Sequence, residues 1–572
     1  MNLLNQRYLL CGLLIFFCCT QELAAQRKHS KTSRFTSYKG LLMAGYQGWH
    51  NTPDDGAGRG WYHYQSRGKF EPGSTNVDLW PDVSEQPKVY ATAFKHADGS
   101  PAYLTSAHDA STIQTHFRWM KEYGIDGVFM QRFVAEIRGR SGRHHFNTVL
   151  GNALKYAEEC GRAISVMYDL SGCRDSVDVP VLINDWKNLV DSMKVTARGD
   201  RQSYLYHNGK PLVVLWGVGF NDNRKYTLKD VAKMIDFLKN DPVYGGCSVM
   251  LGVPTYWREF GNDTQKDPYL HEVIKRADIV HPWTIGRYSD DKTYERYAAV
   301  QKDDIAWCKT NGLDYVGVVF PGFSWHNMNP RAPSNQIPRD RGRFFWKQIS
   351  SAVRNQAGML YVAMFDEIDE GTAIFKISKN PPVGASTFVT FEDDIPSDYY
   401  LYLSGYAGKM LRKQVPFTSV PPPPPKKNKH IPCFVRKVSY LSFMKKNETK
   451  ERSLEPTKSE LEILQVLWET GPSTVRQVND ELLKQKDVNY TTTLKLMQIM
   501  AEKGILLRDE SQMKHIYSVA EEEQQTKSQL LDRFVDTLYK GSASKLVMQL
   551  LGNRKTSAQE LDEIREILKK LG

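Results

Sequence analysis

Residues 359–372 read MLYVAMFDEIDEGT: seven apolar residues, Met359–Phe365, and then Asp366, Glu367, Asp369 and Glu370 within five positions. A run this short and this apolar reads as a strand buried on both faces, and the acids stand where it leaves the core. Working upstream, the same theme recurs at Leu41–Gly45, Gly127–Met130, Ile164–Tyr168, Leu212–Trp216, Ser248–Val253, Asp278–Trp283 and Tyr315–Phe320. Helical patterns fill the intervals: Ser111–Tyr123, Phe146–Cys160, Val181–Arg198, Leu228–Lys239, Tyr294–Asn311 and Gly342–Asn355. Eight apolar strands alternating with helices predict an α/β protein with a closed (β/α)8 barrel, spanning residues 38–410. An open doubly wound sheet is the alternative. It would carry a Gly-rich phosphate turn after the first strand, and Gly56-Ala57-Gly58-Arg59-Gly60 reads instead as a loop.

A barrel does its chemistry at the C-terminal ends of its strands, so polar and aromatic groups belong just beyond each run. Tyr46, Gln47 and Trp49 follow the first, Gln131 and Arg132 the second, and Tyr168 and Asp169 the third. Trp216 ends the fourth, Tyr256 and Trp257 follow the fifth, His281 and Trp283 close the sixth, and Trp325 and His326 follow the seventh. Flat rings serve as platforms for sugars. Tyr46, Trp49, Tyr168, Asp169, Trp216, Tyr256, Trp257, Trp283 and Trp325 are therefore the expected substrate-binding residues, and Glu367 and Glu370 the expected catalytic pair. Cleaving a glycosidic bond takes a protonated acid at the leaving oxygen and a second carboxylate at the sugar. Two acids crowded in a cleft push their pKa values apart, which suits those two roles.

The segment Glu367-x-x-Glu370-Gly371-Thr372 resembles the catalytic signature of glycoside hydrolase family 99, the endo-acting α-mannosidases and α-mannanases, and of the related family 71 α-glucanases. "AGYQGW" (44–49) and "GRGWYHY" (58–64) resemble the family 71/99-like bacterial group. The resemblance implies retention of configuration on an α-linked glycan without a covalent enzyme intermediate. Glu367 would take the proton of the sugar 2-hydroxyl, which closes an anhydro ring. Glu370 would protonate the departing oxygen and then activate water. Where the family pattern has Trp and His between the glutamates and Asn before them, this chain has Ile368, Asp369 and Asp366. A carbohydrate-binding barrel without catalysis is the alternative. No metal or cofactor is expected.

After Tyr406 the pattern ends. Five prolines, Pro421–Pro425, lead into a basic stretch from Lys426 to Lys450, so residues 411–453 read as an extended linker. Thr457 with Glu460 makes a capping box for a helix carrying Leu461, Ile463, Leu464, Leu467 and Trp468. Gly471-Pro472 breaks it, and Ser473 can cap a second helix with Val475, Val478 and Leu482. A third runs from Tyr490 to Lys503 and stops at Gly504. The strands Leu506–Arg508 and His515–Val519 then form a hairpin. Three helices and a hairpin predict a winged-helix DNA-binding domain over 454–522, with the third helix suited to the major groove. Thr491, Thr492, Lys495 and Gln498 are its expected DNA-reading positions, with Arg508 and Lys514 on the wing.

"TKSELEILQVLWETGPSTVRQV" and "YTTTLKLMQIMAEKGIL" resemble the BlaI/MecI penicillinase-repressor family. That resemblance implies a homodimer bound to palindromic operator DNA, released when a membrane-bound antibiotic sensor protease triggers cleavage in the tail. The amphipathic stretches Ser528–Tyr539, Ser544–Leu551 and Ala558–Leu571 fit a helical dimerisation tail over 523–572.

Composition bounds the rest. Twelve Trp and 29 Tyr are ample for both core and platforms, and the segment after Met444 holds one Trp. The net charge of +11 points to a polyanion partner only where the charge is local. Cys160, Cys173, Cys247 and Cys308 are spaced too widely for a metal knuckle and read as buried thiols, with one disulfide open to them. The N-terminus, with Arg7, an apolar run Tyr8–Cys19 and then Leu23-Ala24-Ala25, reads as a signal peptide over residues 1–25. It predicts a periplasmic or secreted barrel, whereas a repressor belongs in the cytoplasm. Met444, followed by Lys-Lys-Asn-Glu, reads as an independent start. Two neighbouring genes joined by read-through or frameshift would reconcile the two halves.

Overall fold

The computed structural model describes residues 28–199, 202–424, 458–484, 488–502, 505–509 and 515–519. The chain divides into two compact units, residues 1–430 and 431–572. The signal peptide, most of the linker, Thr457, Gly504, Lys514 and the whole tail from 520 onward lie outside the described residues.

The first unit is a (β/α)8 barrel. Its strands are β1 (Leu42–Tyr46), β2 (Gly127–Phe133), β3 (Ala163–Asp169), β4 (Lys210–Trp216), β5 (Ser248–Val253), β6 (Ile279–Pro282), β7 in two pieces (Asp314–Tyr315 and Val318–Val319) and β8 (Leu360–Val362). Neighbours pair in parallel, and β1 pairs with both β2 and β8. β7 closes the ring. Its first piece pairs with β6 and its second with β8, so the expected single strand Tyr315–Phe320 is split where it changes partner. The stagger that barrel closure requires accounts for the switch. No open doubly wound sheet is formed, and the 56–60 stretch is a loop.

Among the described residues, seven helices of six residues or more lie between or beside the strands: α1 (Ala110–Tyr123), α2 (Arg140–Cys160), α3 (Val179–Asp191), α4 (Leu228–Asn240), α5 (Tyr269–Ile274), α6 (Asp291–Thr310) and α7 (Arg343–Arg354). Local chemistry sets their ends. Thr227 and Asp230 form a capping box on α4, and Asp290 with Thr293 does the same on α6. α1 and α2 stop on Gly124 and Gly161, both left-handed. An eighth helix, α8 (Tyr399–Leu411), packs on α1, α7 and β1. There a Cβ on Gly405 would collide with the Tyr123 carbonyl, so the helices meet only because that side chain is absent.

Alternation along the strands sorts side chains into two layers. Met43, Phe129, Met167, Val214, Met250, Ile279 and Tyr361 fill the barrel interior, while Leu42, Val128, Val166, Leu215, Leu251 and Val280 face the helices. The packed envelope is wider than residues 38–410. Lys28 pairs with Asp191 at 2.6 Å, and beyond α8 the Thr418 and Pro422 carbonyls accept from Trp346 and Tyr399. Cys160, Cys173, Cys247 and Cys308 are free thiols, so no disulfide forms among them.

The second unit holds α9 (Lys458–Thr470), β9 (Ser473–Thr474), α10 (Val475–Leu483), α11 (Tyr490–Glu502), β10 (Leu506–Asp509) and β11 (Ile516–Val519). The strands make an antiparallel sheet in the order β9–β11–β10, the winged-helix arrangement with a strand more than the sequence suggests. Ser473 belongs to that strand, and the cap of α10 is Thr474, in a capping box with Gln477. Ile463, Leu464, Leu467, Val478, Leu482, Met497, Met500 and Tyr517 form the core.

Candidate functional site

The loop after β8 delivers four acids to the top of the barrel, and their environments differ. Asp366 accepts from the backbone N–H groups of Gln47 and Gly48, each at 2.8 Å, which ties the ends of β8 and β1 together. Burial raises its pKa to about 7. Glu367 is 5% exposed. Its two oxygens accept from Gln47 Nε2 at 2.6 Å and from Thr372 Oγ1 at 2.7 Å. Burial, then the charges of Glu370 and Asp369, push it well above the ordinary carboxylate range. Glu370 is partly exposed, and its side chain takes no hydrogen bond among the described residues. Burial and Asp369 raise it to about 7. The two glutamates therefore feel each other's charge and keep a proton between them at neutral pH.

Asp369 extends the site sideways. Its Oδ2 lies 3.6 Å from His63 Nδ1, while the other imidazole nitrogen lies 3.6 Å from Glu136 Oε1. Glu136 also pairs with Arg59. The His63 ring stacks on Trp49, centroids 3.8 Å apart at 11°. Burial opposes the charge on His63, yet Asp369 and Glu136 together raise its pKa above the usual imidazole value.

Strand parity decides which expected rim residues reach the mouth. Asp169 and Trp216 share parity with the interior residues Met167 and Val214, and Gln131 shares it with Phe129. Burial raises the pKa of Asp169, and its charge, with that of Glu367, adds to burial in raising Tyr361 well above the phenol range. Trp216, Trp283 and Trp325 are half-buried and pack on the interior cluster, with Trp216 and Trp283 5.3 Å apart edge to face. The indole nitrogens of Trp49, Trp216 and Trp325, with Gln47 Oε1, Gln131 Oε1 and His281 Nε2, are buried polar atoms without a protein partner. His281 donates through Nδ1 to the Val316 carbonyl at 2.9 Å, the tautomer that leaves Nε2 an acceptor, and burial lowers its pKa to about 4.

Six residues expected at the strand ends are elsewhere. Tyr46 and Tyr168 have the opposite parity and no exposure; Tyr46 Oη lies 2.7 Å from His116 Nδ1, and Tyr168 donates to Asp185 at 2.8 Å. Arg132, also opposite in parity, pairs with Asp185. Trp257 is buried against Trp307 and His271 in the helical layer, so it offers no platform. Tyr256 sits half-buried in the loop after β5, where its carbonyl accepts from Glu259 and Gly261. His326 is bonded within its own loop, to the Ala332 carbonyl. The residues missed are Tyr361, Arg59, His63 and Glu136, and the part played by Thr372. Arg59 and His63 fall inside "GRGWYHY" and Thr372 ends the Glu367–Thr372 segment, the signals that pointed to them.

On the winged helix, Thr491, Thr492 and Lys495 are exposed and Gln498 is half-buried, along one face of α11, while Thr493 between them is buried and donates to Asn479 at 2.8 Å. Asn489 accepts at the start of α11 from Thr492 and Thr493. Arg508 is exposed on the wing, 5.9 Å over the Tyr517 ring. Lys514 lies outside the described residues.

Two classes of protein are thus joined in one chain: a (β/α)8 barrel with an acid pair at its mouth, and a winged helix. Residues 456–570 match the penicillinase repressor family. Over 119 residues they are 25% identical to the methicillin resistance regulatory protein MecI of Staphylococcus aureus (strain N315), covering 21% of this chain and 97% of that protein. The penicillinase repressor of Staphylococcus aureus is 25% identical over 117 residues, 20% of this chain and 93% of its own length. The barrel is similar to the GH99 endo-alpha-mannosidase from Bacteroides thetaiotaomicron, at 16% identity over 66% of this chain and 99% of that one, with a TM-score of 0.49.

Proposed function

We propose that the barrel is a retaining, endo-acting glycoside hydrolase of an α-linked glycan, and that the second unit is a dimeric repressor that reads operator DNA. The observation that carries the first reading is the unequal pair Glu367 and Glu370. Burial, Glu370 and Asp369 raise Glu367; a proton on Glu370 removes one of those charges, and the donors Gln47 and Thr372 work for the ionised form against the remainder. Glu367 is thereby the base toward the sugar 2-hydroxyl. Glu370, unbonded and raised to about 7, is the acid at the leaving oxygen and afterwards the base toward water. Trp216, Trp283 and Trp325 supply the apolar faces, and the free N–H groups of Trp49, Trp216 and Trp325 the donors, that a pyranose needs.

The test is to incubate the full chain with α-mannan and with α-glucan and follow the anomeric protons by NMR. Release of the α-anomer first is the expected result. A β-anomer overturns retention, and tight binding without release reduces the barrel to a carbohydrate-binding one.

For the second unit, the exposed face of α11 carries the reading. Lys495→Ala is expected to weaken binding of operator and random duplex alike and to reduce the salt slope by about one counterion. Gln498→Ala should instead narrow the gap between operator and random duplex, by about 1–3 kcal/mol if it pairs with adenine. Gel shifts across a salt series measure both, and unchanged slopes in Lys495→Ala would remove that face from the interface.

A further inference from the structure

We propose that His63 is a positioning residue of the mouth: its ring clamps Asp369 to Glu136 and stacks on Trp49, whose other face meets Phe133, holding that indole and the acid pair in one frame. This rests on the hydrolase reading above. The geometry is specific. Trp49 belongs to the loop after β1, Glu136 to a short helical turn (Val134–Ile137) after β2, and Asp369 to the loop after β8, so three separate strand ends meet on one imidazole. Each ring nitrogen faces a carboxylate oxygen at 3.6 Å, which a doubly protonated ring satisfies and a neutral one cannot. The backbone of His63 is left-handed (φ 63°), a conformation costly outside glycine and here held by its surroundings. Asp369 keeps Oδ1 buried without a partner, so His63 is its one facing cation among the described residues.

The charged and titratable groups around the ring are Arg59, Glu136 and Asp369, with His50 and Tyr62 at its edges. His50 is neutral near pH 7, since burial lowers its pKa to about 3, and Tyr62 is neutral because burial raises it. Arg59 is engaged with Glu136. Asp369 is a cause of the raised pKa of both Glu367 and Glu370, so the cation beside Asp369 tempers a field that reaches both reacting acids.

Two readouts on the full chain test the clamp. The first needs no substrate. The folded pKa of His63 lies above its unfolded value, so its contribution to stability is complete below about pH 6.5 and fades as pH rises through the folded value. The Tm of His63→Gln is expected about 2 °C below wild type at pH 6, with the gap narrowing as pH rises toward 9. A gap of equal size at both pH values overturns the proposal.

The second readout is the pH profile of kcat/KM on whichever α-glycan the wild type cleaves. Removing the cation leaves Asp369 untempered, so His63→Gln should move the profile up by about one unit, whereas Asp369→Asn should move it down. KM should rise in His63→Gln because the Trp49 indole loses the ring stacked on it. Profiles that do not move, or that move the same way, overturn the clamp. If His63→Gln does not fold, Asp369→Asn must show the same pH-dependent Tm gap. An inert wild type with a pH-dependent gap sinks the hydrolase reading and leaves the clamp standing; an active wild type with a pH-independent gap does the reverse.

Discussion

Glu370→Gln should lower kcat on a natural α-glycan by about 10²–10⁴-fold, the range that a positioned general acid contributes. The isosteric amide keeps the shape of the mouth and removes only the proton that the leaving oxygen needs. The loss should therefore shrink on an aryl glycoside, whose leaving group departs without protonation. Glu367→Gln should behave differently and lose as much on both substrates, because attack by the 2-hydroxyl needs a base whatever leaves. The wild-type profile carries its own sign. The active form holds one proton, on Glu370 and not on Glu367; burial and neighbouring charge raise both acids, so the pair titrates as a unit and the profile should be bell-shaped and displaced above the ordinary carboxylate range. Steady-state kinetics on both substrates from pH 4 to 9 measure all of this. A Glu370→Gln variant that keeps more than a tenth of wild-type kcat on polysaccharide would remove Glu370 from the chemistry.

Much of this arrangement is legible in the sequence, and the reasons for the remainder are physical. The barrel announces itself because eight buried strands must be apolar almost throughout, as Met359–Phe365 is. The acid pair is legible because it follows such a run. What proximity to a strand end does not settle is parity. Tyr46 and Gln47 are adjacent, yet Tyr46 turns to the helices and Gln47 holds Glu367, and a step of one residue exchanges the faces. Tyr168 and Asp169 divide in the same way. The helix α8, YYLYLSGYAGKML, escapes a search for amphipathic periods because it is apolar around most of its circumference, as a helix covered on several sides must be. His63, Glu136 and Asp369 come from three segments far apart in the chain, and no spacing rule brings them together. The winged helix was legible down to its hairpin. Its third strand, Ser473–Thr474, is two residues long and left no pattern to find.

Parity also relocates Arg132, with a large consequence for stability. Arg132 is 1% exposed, and it faces the helical layer, where Asp185 of α3 takes its Nε at 2.7 Å and its Nη2. Asn147 of α2 accepts from the same Nη2 at 2.9 Å, and Tyr168 of β3 donates to Asp185 at 2.8 Å. One guanidinium thus joins two strands to two helices. A buried pair need not stabilise relative to well-packed apolar residues, since both ions lose their hydration, but breaking it strands a charge. Asp185→Asn, which preserves volume, should therefore cost about 3–5 kcal/mol. Replacing the whole cluster, Arg132→Met with Tyr168→Phe and Asp185→Leu, should cost less than that single change, because no buried donor or charge is left unmet. Denaturant unfolding followed by tryptophan emission reports on this unit, since every tryptophan except Trp468 lies in it. An Asp185→Asn chain within 1 kcal/mol of wild type would mean that Arg132 finds water or another partner, and that the strand–helix layer there is looser than its burial implies.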